Sequence, residues 1–125
     1  MEQNMVSWFE IPVLDMERAI AFYNAVFDIN IQSQDFGGTF MGWFPFAEGK
    51  EGAAGSLIRD KNYQPSATHG VAIYFASQDV QIELDRVEAA GGKIAKPKTQ
   101  ISPEVGFMAL FIDSEGNRIA LHSRK

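Results

Sequence analysis

The sequence contains no cysteine, which removes disulfides, thiolate zinc sites and a cysteine nucleophile together. It has no run of 18 apolar residues and no basic-then-apolar leader, so neither a membrane span nor secretion is expected. Positive charge is in the minority, with 11 basic side chains against 16 acidic ones and a formal net charge of −5. Such a surface repels a phosphate backbone on average, so nucleic acid is not an expected partner. Without cysteines or a leader, a cytoplasmic location is the expectation. The chain is also short. Its 125 residues exclude a multidomain enzyme, yet with 46% hydrophobic residues they suffice for one domain with a substantial core.

Within that one domain, 1–125, the chain repeats itself. Trp8 to Phe27 reads WFEIPVLDMERAIAFYNAVF, and Ala72 to Gly92 reads AIYFASQDVQIELDRVEAAGG. Each opens on a short β-prone run, reaches an aspartate and continues with helical spacing. In the first copy Phe9, Ile11 and Val13 alternate with Trp8, Glu10 and Pro12, which puts the two sets on opposite sheet faces. Asp15 is placed to cap a helix whose stripe is Met16, Ile20, Tyr23 and Phe27, widened by Ala19, Phe22 and Val26. In the second copy Asp79 caps a helix carrying Val80, Leu84 and Val87, which Gly91-Gly92 stops.

After each helix the strand pattern returns. Thr39 to Phe46 matches Phe107 to Ile112, each followed by a glycine-containing turn, and closing strands are expected near Ala53 to Ile58 and Arg118 to Ser123. The reading is α+β, with module one at about 5–59, a polar linker at about 60–68 and module two at about 69–125. Each module is strand–helix–strand–strand–strand. The helices leave one sheet face bare, carrying Trp8 and Glu10 in one module and Gly70, Ala72 and Tyr74 in the other. Two such faces side by side would make a cup suited to a small molecule.

These segments resemble the glyoxalase/bleomycin resistance protein/dioxygenase family, the vicinal oxygen chelate superfamily. The likeness lies in FEIPVLDMERAIAFY, in Asp79 with its helix, and in FIDSEGNRIALH, similar to that family's Asp-Pro-Asp-Gly-Asn hairpin with Ser114 in place of proline. The resemblance implies two βαβββ modules related by a pseudo-twofold axis around a half-barrel cleft. It also implies a divalent metal, held from the first and last strands of each module. Those positions here are Trp8, Ala72, Ala120 and the stretch Ala53 to Leu57, and they hold no histidine, aspartate or glutamate. A metal needs converging oxygen or nitrogen donors, so no cofactor is expected. The function implied is binding of a small organic molecule between the modules. Its alternatives are a metal-dependent lyase, isomerase or dioxygenase that uses Glu10 and His122, and a non-catalytic resistance-type binding protein.

Several residues stand out individually. Glu10 and His122 are the candidate catalytic pair, a carboxylate and an imidazole suited to proton transfer near neutral pH if they meet across the cup. Trp8, Trp43, Ser56, Ala72, Tyr74 and Ala120 are the candidate ligand-binding residues, supplying stacking surface, one hydroxyl and open floor. His69 sits at the linker end with the wrong parity for the cup and is expected in a solvated turn. The aromatic surplus of FMGWFPF, Phe40 to Phe46, suits a homodimer surface or a mobile pocket wall. The charge clusters Glu48 to Glu51 and Lys93 to Lys98 read as solvated loops, and Asp113 to Asn117 as a turn with too few carboxylates for calcium.

Overall fold

The computed structural model describes residues 2–125. Ten elements follow one another: β1 (Trp8–Pro12), α1 (Met16–Phe27), β2 (Ser33–Asp35), β3 (Phe40–Trp43), β4 (Ala54–Arg59), β5 (Tyr74–Ala76), α2 (Val80–Val87), β6 (Lys93–Ser102), β7 (Gly106–Ile112) and β8 (Arg118–Ser123). They form two four-stranded sheets of identical topology, β1-β4-β3-β2 and β5-β8-β7-β6. In each sheet the first strand runs parallel to the last, and the other pairs are antiparallel. The α+β fold of two βαβββ modules is therefore present.

Both helices start where their aspartates place them. The Asp15 carboxylate accepts the Arg18 amide at 3.1 Å, and that of Asp79 accepts the Gln81 amide at 3.0 Å. The buried face of α1 is Met16, Ala19, Phe22, Tyr23 and Val26, and that of α2 is Val80, Leu84 and Val87. These pack with Ile11, Val13, Leu57, Ala109, Phe111, Ile119 and Leu121 into one cluster that crosses both modules. At roughly 1.5–3 kcal/mol for each large side chain removed from water, this shared core is the main force holding the halves together.

At its C-terminus α1 ends on Asp28 with φ 54°, the one positive φ outside glycine among the described residues. A side chain there is strained, and a negative charge opposes the helix dipole. Asp28→Gly is expected to stabilise the protein by about 0.5–1 kcal/mol, seen as a higher melting temperature.

The expected loop at Lys93 to Lys98 is a strand. It opens β6, the edge strand of the second sheet, where mostly exposed lysines discourage pairing with another chain. Lys98 bonds Asp79 at 2.8 Å and lies 4.7 Å over the Phe107 ring, so part of that charge is used structurally. The charge run hid the strand because its lysines are unevenly spaced, Pro97 lies among them, and register shifts interrupt the pairing with β7, so no clean two-residue alternation shows.

Candidate functional site

The free edges of β1 and β5 face a seam between the two modules, and a wide opening lined from both modules lies on that seam. It has a volume of about 520 Å³. Its walls are Val6 before β1 and Phe9 in it, Phe27 at the end of α1 and Ile29 just after it, Phe44 and Pro45 after β3, Glu51 to Ala53 before β4, and Ala72 to Ala76 leading into and through β5. The rings interlock beneath it: Phe44 lies 5.3 Å from Phe75, Phe27 lies 4.8 Å from Phe75, and Phe9 lies 5.7 and 5.8 Å from Phe44 and Phe75. A smaller opening of about 130 Å³ at the other end of the seam, beside Ile11, His69 and Asn117, is too small for a drug-sized molecule.

Backbone groups around β5 add polar character to the larger cavity. On either side of β5 the carbonyl of Ile73 accepts the Ala120 amide at 2.9 Å, and the Ser77 amide donates to the His122 carbonyl at 2.8 Å. Odd-numbered residues thus bond to β8. By the two-residue period of a strand, Ala72, Tyr74 and Ala76 turn their N–H and C=O groups to the open edge, against the cavity they line. Glu51 is the one charged residue in the lining.

Of the candidate ligand-binding residues, Ala72 and Tyr74 line this cavity. Trp8, Trp43, Ser56 and Glu10 form a separate group on the helix-free face of the first sheet. Glu10 is in register with Ser56 across β1 and β4, and Trp43 is in register with Ser56 across β3 and β4. Trp8 Nε1 donates to Glu10 Oε2 at 3.4 Å, and the two indoles lie 5.1 Å apart at 68°. Ala120 is buried, in register with Tyr74 and Leu110. His122 donates from Nε2 to the Val105 carbonyl at 2.7 Å, since a carbonyl can only accept. No hydrogen bond or ion pair among the described residues joins Glu10 to His122. His69 is exposed, its Nδ1 2.7 Å from the Thr68 hydroxyl.

The positions from which a divalent metal would be held do not fit one. Trp8, Ala72 and Ala120 offer no donor, and on β4 the available side-chain donor is the Ser56 hydroxyl. Among the described residues no three histidine, aspartate or glutamate side chains converge as such an ion requires.

A second polar centre went unread in the sequence. The hairpin Asp113 to Asn117 turns the second module back onto the first. Buried Glu115 accepts the amides of Leu14 and Asp15 at 2.9 and 2.8 Å, and its carboxylate takes both Arg18 Nε (2.7 Å) and Nη2 (3.0 Å). Burial alone would raise the Glu115 carboxyl, but the Arg18 bond, the two amides and Ser114 outweigh it and hold it below the ordinary glutamate value. Asp113 accepts the buried Tyr23 hydroxyl at 2.7 Å, and Asn117 Nδ2 donates to the Pro12 carbonyl at 2.8 Å. Burial and then the Asp113 charge push the Tyr23 hydroxyl well above its usual value, so it stays a donor. This centre joins the modules and lines no part of the larger cavity. The sequence signal for it was the hairpin's three polar residues at alternate positions, which turn chemistry alone does not demand.

A model of the Glyoxalase/Bleomycin resistance protein/Dioxygenase superfamily matches residues 5–121, nearly the whole of both modules. The chain belongs to that superfamily. Solved structures share its fold at low identity. A superfamily domain from Frankia sp. EAN1pec superposes with a TM-score of 0.75 at 14% identity, covering 99% of this chain and 100% of that one. TnmS3, an antibiotic binding protein from Streptomyces sp. CB03234, gives 0.69 at 22% identity, covering 100% and 99%. A mutant of glyoxalase I from Zea mays gives 0.74 at 20% identity, covering 94% of this chain, which spans only 45% of that longer protein. No curated protein matches the chain. Among the described residues, no helix is long and apolar enough to cross a membrane.

Proposed function

We propose that this superfamily member is a binding protein that takes a small, largely apolar organic molecule into the seam cavity and releases it chemically unchanged. The observation that carries the reading is the cavity itself, about 520 Å³, built from both modules and walled by aromatic rings. Its ionisable lining consists of Glu51 and Tyr74, and neither of the chain's two histidines borders it. That inventory serves recognition better than proton transfer, which needs an acid and a base converging on one reacting atom. The antibiotic binding protein from Streptomyces supports a ligand of antibiotic-like size. The same reading includes a cytoplasmic location, and a homodimer supported by the exposed Phe46 of the aromatic stretch Phe40 to Phe46.

The test is a thermal-shift screen of small aromatic compounds, followed by mass spectrometry of whatever is released from the protein. Hits should raise the melting temperature of the native chain and be recovered intact. Ala72→Phe, which puts a ring into the cavity from an exposed position, should weaken their binding at least tenfold while leaving the ligand-free melting temperature within about 2 °C. Recovery of an altered compound with stoichiometric bound metal would instead favour the metal-dependent lyase, isomerase or dioxygenase working through Glu10 and His122. Binding indifferent to Ala72→Phe would rule out the seam cavity.

A further inference from the structure

The group on the helix-free face of the first sheet carries an inference independent of the seam cavity. Glu10 and Trp43 flank Ser56 from the two neighbouring strands, so all three side chains rise from one face, and Trp8 rises beside Glu10 two residues earlier on β1. The indoles of Trp8 and Trp43, 5.1 Å apart at 68°, make two walls that meet not far from a right angle. The Glu10 carboxylate is exposed, and its contact to Trp8 is a long 3.4 Å, so nearly all its capacity as an acceptor is unused. Ser56 is fully buried and its hydroxyl oxygen has no hydrogen-bond partner among the described residues. Protein interiors seldom leave such a group unpaired, because it costs the desolvation without the bond. Its register neighbours Glu10 and Trp43 are both exposed, so the side chains flanking it are free to move in solvent.

We propose that this face is a binding site for a small organic ammonium ion that carries at least one N–H. The two indole faces attract the cation. Glu10 neutralises it through a charge-assisted hydrogen bond, and the Ser56 oxygen accepts an N–H. The net charge of −5 draws cations toward the protein as a whole, while the paired walls and buried acceptor select among them.

Both tryptophans of the chain stand in this site, so intrinsic fluorescence reports on it directly. The native protein is titrated at pH 7 with benzylamine, with benzyltrimethylammonium, which is a cation without N–H, and with benzyl alcohol, which is neutral. Benzylamine should give a saturable change, and benzyl alcohol none over the same range. Glu10→Gln should weaken benzylamine about tenfold. Ser56→Ala should weaken benzylamine by about threefold to fivefold and leave benzyltrimethylammonium unaltered. Ala72→Phe, which fills the seam cavity and adds no tryptophan, should leave all three titrations as they were. An equal response to benzyl alcohol, unaltered binding in Glu10→Gln, an equal loss of both cations in Ser56→Ala, or loss of the signal in Ala72→Phe would each overturn the proposal.

Discussion

Replacing Glu115 by alanine is expected to cost about 3 kcal/mol and to lower the melting temperature by roughly 10 °C. The side chain is buried in the contact between modules and accepts five hydrogen bonds, two from the Leu14 and Asp15 amides, two from Arg18 and one from Ser114. Alanine leaves both amides at the start of α1 without their acceptor, and an unpaired amide out of water costs about 1–3 kcal/mol. The Arg18 ion pair adds less, because the Arg18 side chain is half exposed and solvent screens it. The effect is therefore larger than the surface position of Arg18 suggests, and Arg18→Ala alone should cost under half as much. Acid should reproduce part of the loss. The folded Glu115 holds its charge below the ordinary glutamate value, so the stability it contributes is complete above that value and disappears as pH falls through the lowered one. Asp60 and Asp79 titrate in the same direction, their carboxyls lowered chiefly by the Asn62 amide and by Lys98 respectively. Subtracting the acid-unfolding curve of Glu115→Gln from that of the native chain isolates the Glu115 share, and the difference should shrink as pH drops below about 4.5. A constant difference would mean that the carboxylate charge is not what closes this contact.

Gly55→Ala is expected to be nearly as damaging, for a steric reason. A Cβ at Gly55 would stand 2.3 Å from two carbons of the Phe9 ring, far inside van der Waals contact. That ring cannot simply withdraw, because Phe44 and Phe75 hold it from two sides. Overpacking of this kind costs about 2–3 kcal/mol. Phe9→Leu makes room, so Phe9→Leu with Gly55→Ala should be more stable than Gly55→Ala alone, a coupling visible in a double-mutant cycle of urea melts. Because Phe9 also walls the seam cavity, Gly55→Ala should change affinity there as well. A Gly55→Ala protein within 0.5 kcal/mol of the native chain would place the Phe9 ring elsewhere.

Much of the fold was legible because it rests on local chemistry. The aspartate caps, the apolar stripes of α1 and α2 and the alternation in β1 each follow from a few neighbouring residues, and the second copy repeated the evidence. β2 and β6 were harder. Ser33–Asp35 is wholly exposed, and the lysines at the start of β6 mask their alternation, so pairing with β3 and β7 defines these strands more than their own composition does. The candidate site was legible only in pieces. Parity correctly put Trp8 and Glu10 on the side away from the helices, but no local rule fixes how two edge strands lie across a seam. Phe9 was assigned to the core by strand parity and Phe27 by its helical stripe, and with Phe75 they do pack there, yet the three rings also wall the cavity because β1 and β5 leave a gap. Glu115 was hidden for a related reason, since its partners lie about a hundred residues earlier in the chain.

Two-dimensional NMR during titration with 2-naphthol, a neutral aromatic with one hydroxyl, is the most direct measurement of where this protein holds a ligand. The backbone amides of Ala72, Tyr74 and Ala76 should shift first and most, with the rings of Phe44 and Phe75, and the signals of Ala120 and His122 should stay in place. Shifts centred on Ala120 and His122, with the open edge of β5 undisturbed, would contradict a binding site in the seam.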